Sequence, residues 1–418
     1  MAGAIAAGNI GTCRAGISTL RAGGNAVDAA IAAVFASYVC EPLLSSAGGG
    51  GLMLLKPMGE APSFVDFFPR APQHPVTRDA HLDFRAVDID FGETVQRFHI
   101  GRASVAVPIS LEVLADTHRR WGKLSLSDVL APAIEFAEEG HRLGASGAEV
   151  FQLLWPIVSH DPRTISTLTN GAPPTPDELL RNPQFGQFLR DYARQGQTPA
   201  YTKTAILNEF GRNAGGLVSE EDLSISAPSP ETLRETRCDQ WRVWTVPKPG
   251  GRALLDILTA CDACPDDETQ FALGLATAVA HADPSLRDTP TTRGSTTHIS
   301  VVDQDGFTVS VTTSNGEGCG YILGDTGIFM NNFLGEEDLN PGGFFLHPAG
   351  AMLPTMMAPT IACAPDDSLV VLGSGGANRI RSAISSTLLR LMHGATLDDA
   401  IMAPRIHAEG STVWLESN

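Results

Sequence analysis

The sequence has few basic residues, few aromatic residues and no long apolar run, and these shortages exclude several classes of function. Its 418 residues include 29 Lys and Arg against 47 Asp and Glu, for a formal net charge of −18. Because the basic residues form no concentrated stretch that would neutralise phosphates, nucleic acid is not expected as a partner. No apolar run reaches the length of a transmembrane helix, so no membrane partner is expected.

The seven cysteines are too scattered for a disulfide framework. Their odd number and irregular spacing are typical of a reducing compartment. The first residues lack the basic and apolar segments of a leader peptide, so the sequence as given predicts a cytoplasmic location. The CxxC pair of Cys261 and Cys264 has no second pair and no histidine pair at zinc spacing, and no metal site is predicted.

What the chain does have is a stretch of β-branched and hydroxyl residues at 296–315. Two such runs flank Asp-Gln-Asp-Gly at 303–306, a turn sequence that closes hairpins. Alternation in the second run puts 308, 310, 312 and 314 on one face and 309, 311 and 313 on the other. The sequence predicts two paired strands that present hydroxyls on one face and pack valines on the other.

A catalytic role for these hydroxyls does not follow from the pattern alone. A hydroxyl is a poor nucleophile at neutral pH unless a histidine, a lysine or the amine of its own N-terminal residue activates it. Threonine-rich strands are also common for structural reasons, because β-branched side chains fit pleated surfaces. Both interpretations stay open at this point.

Two glycine-rich segments flank predicted regular structure. The first, at 48–51, could be taken for a phosphate loop, but the Gly-Lys-Ser/Thr ending is missing, and close backbone packing is the favoured interpretation. The second, at 373–377, lies between a predicted strand and a predicted helix, and N–H groups of such a turn can bind an oxyanion. Apolar patterning and capping residues predict helices at 26–38, 111–121, 127–140, 253–260 and 270–282.

Three motifs in this order resemble the gamma-glutamyltranspeptidase family. They are Gly-Gly-Asn-Ala-Val-Asp-Ala-Ala from Gly23 with the following glycine cluster, Gly-Ser-Thr-Thr-His-x-Ser from Gly294, and Gly-Ser-Gly-Gly-Ala from Gly373. The resemblance covers nearly the whole chain. It implies an α+β fold, the Ntn-hydrolase four-layer αββα sandwich, in which two stacked and mainly antiparallel sheets lie between helix layers.

The resemblance also implies self-cleavage. In that family the chain cuts itself before the first threonine of the second motif, which here falls between Ser295 and Thr296. The large segment 1–295 and the small segment 296–418 would remain intertwined in one domain. Thr296 would then carry a free α-amino group, with a reference pKa of roughly 7.7 to 8, as the base for its own hydroxyl. This chemistry needs no metal and no organic cofactor.

Other catalytic residues follow from the same resemblance. The second catalytic hydroxyl falls on Ser314 when counted from Thr296 and on Thr313 when aligned on Asn315. Alternation puts these two on opposite faces, and the Thr-x-Asn spacing favours Thr313. Together with Asn315, it is expected to position the nucleophile.

The oxyanion and donor-binding residues complete this set. The family's oxyanion pair falls on Gly376 and Ala377. Phe68 stands where the family has an arginine that holds the donor's carboxylate. Phe333 and the residues after it match poorly the acidic residues with which the family holds the donor's amino group. Met356 replaces one of two serines that bind the donor's carboxylate in the family. The expected substrate-binding residues are Arg70, Ser314, Glu336, Thr355 and Met356.

The resemblance implies that Thr296 forms an acyl-enzyme with a gamma-glutamyl or related acyl group, which is then transferred to water or to an amine. Because Phe68 and Met356 predict a more apolar donor pocket, an amidase or acylase on another acyl group is an alternative, as is a biosynthetic enzyme that cleaves an unusual amide or a C–C bond. An inactive relative that serves as a binding or structural subunit is a hypothesis of a different class. Expected partners are a small-molecule donor, an amine or water acceptor, the other segment of the precursor and, as an option, a second copy of the chain.

Overall fold

The structure is a computed structural model that describes residues 3–76, 81–92, 95–261, 268–282, 296–409 and 412–416. Its α-helices are α1 (Ile10–Arg21), α2 (Ala26–Cys40), α3 (Ser110–Trp121), α4 (Leu126–Glu139), α5 (Ala145–Leu153), α6 (Trp155–Val158), α7 (Pro162–Leu168), α8 (Pro183–Gln195), α9 (Ala200–Phe210), α10 (Pro249–Ala260), α11 (Glu268–Ala282), α12 (Arg379–Met392) and α13 (Leu397–Met402). All five predicted helices are confirmed within a few residues.

The strands are β1 (Gly3–Ala7), β2 (Gly50–Lys56), β3 (Ser63–Asp66), β4 (Arg85–Asp90), β5 (Val95–Ile100), β6 (His141–Arg142), β7 (Leu179–Leu180), β8 (Glu231–Thr232), β9 (Thr236–Cys238), β10 (Trp241–Thr245), β11 (Thr296–Asp303), β12 (Thr308–Ser314), β13 (Ile322–Leu323), β14 (Ile328–Phe329), β15 (Thr360–Cys363), β16 (Leu369–Leu372), β17 (Ile406–Glu409) and β18 (Thr412–Leu415). One antiparallel sheet has the order β1-β11-β12-β2-β3-β8 and a second has the order β16-β15-β10-β9. Each sheet therefore contains strands from both sides of the predicted cleavage point.

Helices cover the outer face of the first sheet. Every residue of α2 is buried, and its many alanines allow close packing against α1 and α4 on one side and against β11 and β12 on the other. The helix begins at a capping box, in which the Asn25 side chain accepts from the Val27 and Asp28 N–H groups and the Asp28 carboxylate accepts from the Asn25 N–H.

Helices α10, α11 and α12 cover the second sheet. Leu254, Phe271 and Ile384 from these helices share one apolar core with Val243 and Ile361 from the sheet. A hydroxyl group links the inner faces of the two sheets: Ser300 Oγ on β11 donates a hydrogen bond to the Val371 carbonyl on β16 at 2.9 Å. The four-layer αββα sandwich that the resemblance implies is confirmed.

The predicted hairpin is confirmed in both its turn and its faces. Gly306 adopts a φ of 77° and donates its N–H to the Asp303 carbonyl at 3.2 Å. The Asp303 carboxylate accepts from the Ala26 N–H at 2.9 Å, which anchors the turn to the start of α2. Val309 and Val311 pack in the helix-side core, while the hydroxyl face of β12 is directed at the second sheet.

The glycine cluster before β2 is confirmed as close backbone packing. A Cβ at Gly49 would overlap the Ser314 carbonyl, and one at Gly51 would overlap the Thr312 carbonyl and the Phe67 ring. Any side chain at these positions would push β12 away from β2, so the cluster holds the strand that leads to Ser314 in place.

Candidate active site

Thr296 is the first residue of β11 and lines a pocket between the end of the first sheet and the start of α12. The cavity has a volume of about 60 Å³ and is open to solvent. The residues that line it are Phe68, Gln96, Phe98, Thr296, Ser314, Gly316, Glu317, Phe333, Glu336, Asp338, Leu339, Thr355, Met356, Met357, Ala377, Asn378 and Ile380. Ser295, the other side of the predicted cleavage bond, lies outside the described residues.

The glycine loop at 373–377 lies directly against Thr296. A Cβ at Gly375 would stand 2.7 Å from the Thr296 carbonyl oxygen. Gly376 and Ala377 both have positive φ, 112° and 48°, and the second value costs an alanine roughly 1 kcal/mol. This conformation leads into α12 at Arg379, whose N-terminal N–H groups and dipole favour negative charge. The predicted oxyanion residues are thus placed beside the predicted nucleophile, while their role stays a prediction.

The strand register corrects the choice of second hydroxyl. Thr296 pairs with Ser314 and Thr297 pairs with Thr313, and directly paired residues of antiparallel strands project to the same face. Ser314 therefore shares the face of Thr296 and lines the pocket. Thr313 is fully buried on the opposite face, where its Oγ donates to the Gly50 carbonyl at 3.0 Å, so the prediction that Thr313 faces Thr296 is wrong.

Asn315 lies beside the pocket rather than in its lining. Its side chain is fully buried, and its Nδ2 lies 3.5 Å from the Met330 carbonyl. Its Oδ1 is buried and, among the described residues, has no hydrogen-bond partner. Asn315 thus supports the end of β12 through Met330, and its role in positioning Thr296 stays a prediction.

Buried groups on both faces of β11 fix its position. Thr297 Oγ and Thr12 Oγ donate to the two carboxylate oxygens of Glu41 at 3.0 and 2.7 Å, and burial raises the pKa of Glu41. On the other face, the His298 ring nitrogens lie 2.8 Å from Thr312 Oγ and 3.0 Å from Ser300 Oγ. Burial lowers the pKa of His298 to about 3, so the ring is neutral at physiological pH.

Arg70 is not in the pocket, which contradicts its predicted role in substrate binding. Its Nη2 donates to the Ser226 carbonyl at 2.7 Å, and its Nε lies 3.3 Å from the Met352 sulfur. The side chain is 7% exposed, and burial lowers its pKa. Phe68, two residues earlier, lines the pocket instead.

The donor end of the pocket is built from aromatic and thioether side chains. The rings of Phe68 and Phe333 pack with centroids 4.6 Å apart, and both side chains are almost fully buried. Met356 lines the same end, as predicted, and so does Thr355, whose Oγ accepts from the Met357 N–H at 3.2 Å. An apolar acyl group fits this end better than a charged one does.

Three carboxylates also line the pocket. Glu336 was predicted here, and the structure adds Glu317 and Asp338. Burial, followed by the charges of Glu317 and Asp338, raises the pKa of Glu336 well above its ordinary value. Sequence reasoning missed Glu317 because the glycines at 316, 318 and 320 made its segment look like an exposed turn, although the side chain is only 4% exposed.

The described residues hold no cluster of three or more His, Cys, Asp or Glu side chains arranged to bind a metal ion. Among the described helices, none combines the length and apolar character of a membrane span.

Comparison with known proteins agrees with this arrangement. The family model described as gamma-glutamyltranspeptidase matches residues 12–282 and 265–418. The glutathione hydrolase proenzyme of Bacillus subtilis (strain 168) is 26% identical, over 96% of this chain and 79% of the relative. The acylase ACY 1 proenzyme of Pseudomonas sp. (strain SE83) is 28% identical, over 96% of this chain and 82% of the relative.

A solved structure extends the likeness to the fold. The cephalosporin acylase from Bacillus halodurans superposes with a TM-score of 0.77 at 22% identity, over 97% of this chain and 83% of that one. At this identity the similarity concerns the fold alone. Since the family model spans nearly the whole sequence, the chain belongs to the gamma-glutamyltranspeptidase family, a family of hydrolases and acyl transferases.

Proposed function

We propose that this chain is a self-processing N-terminal-nucleophile enzyme that forms an acyl-enzyme on Thr296 and passes the acyl group to water or an amine. The observation that carries the proposal is the convergence of Thr296, Ser314 and Ala377 on one pocket. The names of the Bacillus subtilis and Pseudomonas relatives, both proenzymes, support processing into the segments 1–295 and 296–418.

Processing uses the Thr296 hydroxyl first. Its Oγ attacks the Ser295 carbonyl carbon and the peptide C–N bond breaks. The departing nitrogen takes the proton that the hydroxyl loses and becomes the new α-amine of Thr296. The resulting ester between Ser295 and Thr296 Oγ is hydrolysed by water, which frees both the hydroxyl and the amine.

Turnover uses the same hydroxyl with its own amine as base. The amine takes the proton from Oγ as Oγ bonds to the substrate carbonyl carbon, and then gives that proton to the departing nitrogen as the amide bond breaks. The N–H groups at Gly376 and Ala377 hold the oxyanion, a contribution worth roughly a hundred- to a thousandfold in rate per donor. Ser314, across the strand pair, orients Thr296.

The donor end favours an acylase or amidase over gamma-glutamyl transfer. A gamma-glutamyl donor carries a carboxylate, which an arginine binds well through two parallel hydrogen bonds. Here Phe68 occupies the position of that arginine in the pocket lining, and the nearby Arg70 guanidinium donates a hydrogen bond to the Ser226 carbonyl instead. The acyl group is therefore expected to differ from gamma-glutamyl.

The test is a pair of nucleophile variants assayed with acyl p-nitroanilides. Thr296→Ala removes the hydroxyl and should abolish both cleavage of the chain and release of nitroaniline. Thr296→Ser keeps a hydroxyl and should retain both at a reduced rate. Wild-type turnover by Thr296→Ala would overturn the proposed mechanism, and an inactive, uncut wild-type protein would favour a non-catalytic binding subunit instead.

A further inference from the structure

A histidine follows the proposed nucleophile by two residues and is therefore a candidate for its base. Alternation along β11 puts His298 on the same face as Thr296 and Ser300, and histidine is the commonest general base in catalysis. Its Nδ1, however, lies 2.8 Å from Thr312 Oγ, directly across the strand pair. Its Nε2 lies 3.0 Å from Ser300 Oγ, on the residue that follows it on this face. Each ring nitrogen thus has a partner other than Thr296.

The hydrogen bonds of Ser300 fix the tautomer of the ring. Ser300 Oγ donates its single hydrogen to the Val371 carbonyl at 2.9 Å, so it accepts a hydrogen bond from His298 Nε2. Burial lowers the pKa of the ring to about 3 and keeps it neutral, so Nδ1 accepts from Thr312 Oγ. A ring in this state uses one nitrogen as donor and the other as acceptor, and neither is left for the Thr296 hydroxyl.

The same ring lies against the first residue of the glycine loop at 373–377. A Cβ at Gly373 would overlap three atoms of the His298 ring, Nδ1, Cε1 and Cγ, so only glycine fits there. Two residues later the loop touches the nucleophile, since a Cβ at Gly375 would stand 2.7 Å from the Thr296 carbonyl oxygen. The ring and the nucleophile therefore support two positions of one short loop.

The strand that enters this loop needs support from outside its own sheet. Among the described strands of the second sheet, β16 lies at the edge and pairs with β15 alone. Hydroxyls of the first sheet hold it from the inner side: Ser300 Oγ donates to the Val371 carbonyl, and Ser310 Oγ lies 3.4 Å from the Leu372 carbonyl. The residues just before the loop are thus held by hydroxyls, and its first residue is held by the ring.

We propose that His298 is a positioning residue for the oxyanion loop. Held between two hydroxyls, the ring fixes Gly373 and thereby the direction of the N–H groups at Gly376 and Ala377, which bind the oxyanion when Thr296 is acylated. The proposal rests on the proposed function, because the position of the loop matters for catalysis only if the loop binds an oxyanion. It goes further by giving the histidine a role in loop geometry and leaving the base to the Thr296 amine.

Two variants of His298 separate positioning from base catalysis. His298→Gln keeps a side-chain N–H that reaches as far as Nε2, whereas His298→Leu keeps bulk without hydrogen bonds. The oxyanion forms only after attack on the substrate carbonyl, so a displaced loop lowers kcat and leaves KM nearly unchanged. A misplacement of about 1 Å costs on the order of a hundredfold in rate.

The substrate for this test is butyryl p-nitroanilide, with kcat normalised to the cleaved fraction of each variant. We expect kcat to fall about a hundredfold in His298→Leu and about tenfold or less in His298→Gln, with KM within about threefold in both. The control His141→Gln replaces a partly buried histidine outside the pocket lining and should leave both constants unchanged. Equal losses in the two His298 variants overturn the proposal, because neither glutamine nor leucine can act as a base. A kcat for His298→Leu within about threefold of wild type also overturns it.

Hydrogen exchange of the loop amides gives a readout that needs no turnover. By mass spectrometry, residues 373–377 should exchange about tenfold faster in His298→Leu than in wild type, because the loop opens more often without the ring. Exchange in His298→Gln should lie closer to wild type, and unchanged exchange in His298→Leu overturns the proposal. Failure of the proposed function looks different: wild-type protein would turn over no anilide, or turnover would survive Thr296→Ala, while exchange still decides whether the ring holds the loop.

A serine variant tests the same chain of bonds if His298→Leu does not fold. Ser300→Ala leaves the ring in place and removes its link to Val371, so kcat should fall about tenfold with KM unchanged. Combined with His298→Gln, it should lower kcat no further than the more severe single variant, because both side chains act through one chain of hydrogen bonds. A combined loss equal to the product of the two single losses overturns the proposal.

Discussion

The two ends of the pocket differ in how they are built. At the nucleophile end the important groups are held by backbone geometry: Thr296 and Ser314 by strand pairing, and Ala377 by a loop with positive φ. At the donor end they are side chains, such as Phe68 and Met356, that line the pocket. The catalytic end resembles the family motif closely, whereas the donor end departs from it.

The difference shows which part of the site can change without loss of the fold. A substitution at Gly51 or Gly375 would collide with neighbouring backbone or with Phe67, so the nucleophile end is fixed by close packing. Where the family has an arginine this chain has Phe68, and where the family has a serine it has Met356. These replacements alter the charge and shape of the pocket but leave the strand pairing intact. Substrate class is therefore expected to vary while the acyl-transfer chemistry persists.

The largest expected effect is a difference in activity between variants that lack the Ser314 hydroxyl and variants that lack the Thr313 hydroxyl. Ser314→Ala should lower kcat roughly a hundredfold, because Thr296 loses its cross-strand positioning partner. The control Thr313→Val removes a hydroxyl from the opposite face. It should leave kcat within about threefold of wild type and lower stability by about 1 kcal/mol through the lost bond to Gly50.

Steady-state kinetics measure kcat of both variants, and denaturant unfolding measures their free energy of unfolding. If Thr313→Val lost activity as strongly as Ser314→Ala, the assignment of faces from the strand register would be contradicted. Processing of each variant is checked by intact mass, so that a defect in cleavage is not taken for a defect in turnover.

A smaller change is expected when charge is added to the donor end. Met356→Lys places a flexible cation in a lining position that is only partly buried. It should raise kcat/KM for glutaryl p-nitroanilide relative to that for butyryl p-nitroanilide about tenfold or more, because the added cation attracts the carboxylate of the glutaryl group. The control Met356→Leu should leave the ratio within about twofold, and an unchanged ratio with the lysine would contradict the role of pocket charge.

The smallest expected effect concerns stability. Because its folded-state pKa is raised, Glu336 binds its proton more tightly in the folded protein than in the unfolded chain. The stability this provides is fully present below the unfolded pKa of roughly 4.3 and is lost as pH rises through the folded pKa. Relative to wild type, Glu336→Gln should thus raise Tm by roughly 1 to 3 °C at pH 8 and by less at pH 4.

Thermal unfolding at the two pH values, with Glu337→Gln as the exposed control, measures this effect. A Tm gain for Glu336→Gln that is equal at both pH values would show that the gain does not come from removing a buried charge.

Much of the fold follows from local sequence patterns. The hairpin around Gly306 and the buried alanine-rich helix after Asn25 depend on turn chemistry, alternation and capping, which act over a few residues. The strand register is different, because a single residue of slip between β11 and β12 exchanges Thr313 for Ser314. Only the packing of the whole sheet fixes that choice.

The donor end was also harder to predict, because the positions of its side chains depend on contacts between residues that are distant in the sequence. The direction of the Arg70 side chain depends on Ser226 and Met352, both more than 150 residues away in the chain. The burial of Glu317 depends on Asn332, whose Oδ1 accepts from the Glu317 N–H at 2.9 Å. Neither contact leaves a local pattern that sequence inspection would detect.

The most direct test of the account is the intact mass of the purified wild-type protein, with N-terminal sequencing of any smaller fragment. Self-cleavage before Thr296 would give two pieces, of which the smaller begins at Thr296 and contains the 123 residues of 296–418. A fragment that begins elsewhere, or a single uncut chain that still turns over the anilides, would contradict Thr296 as an N-terminal nucleophile.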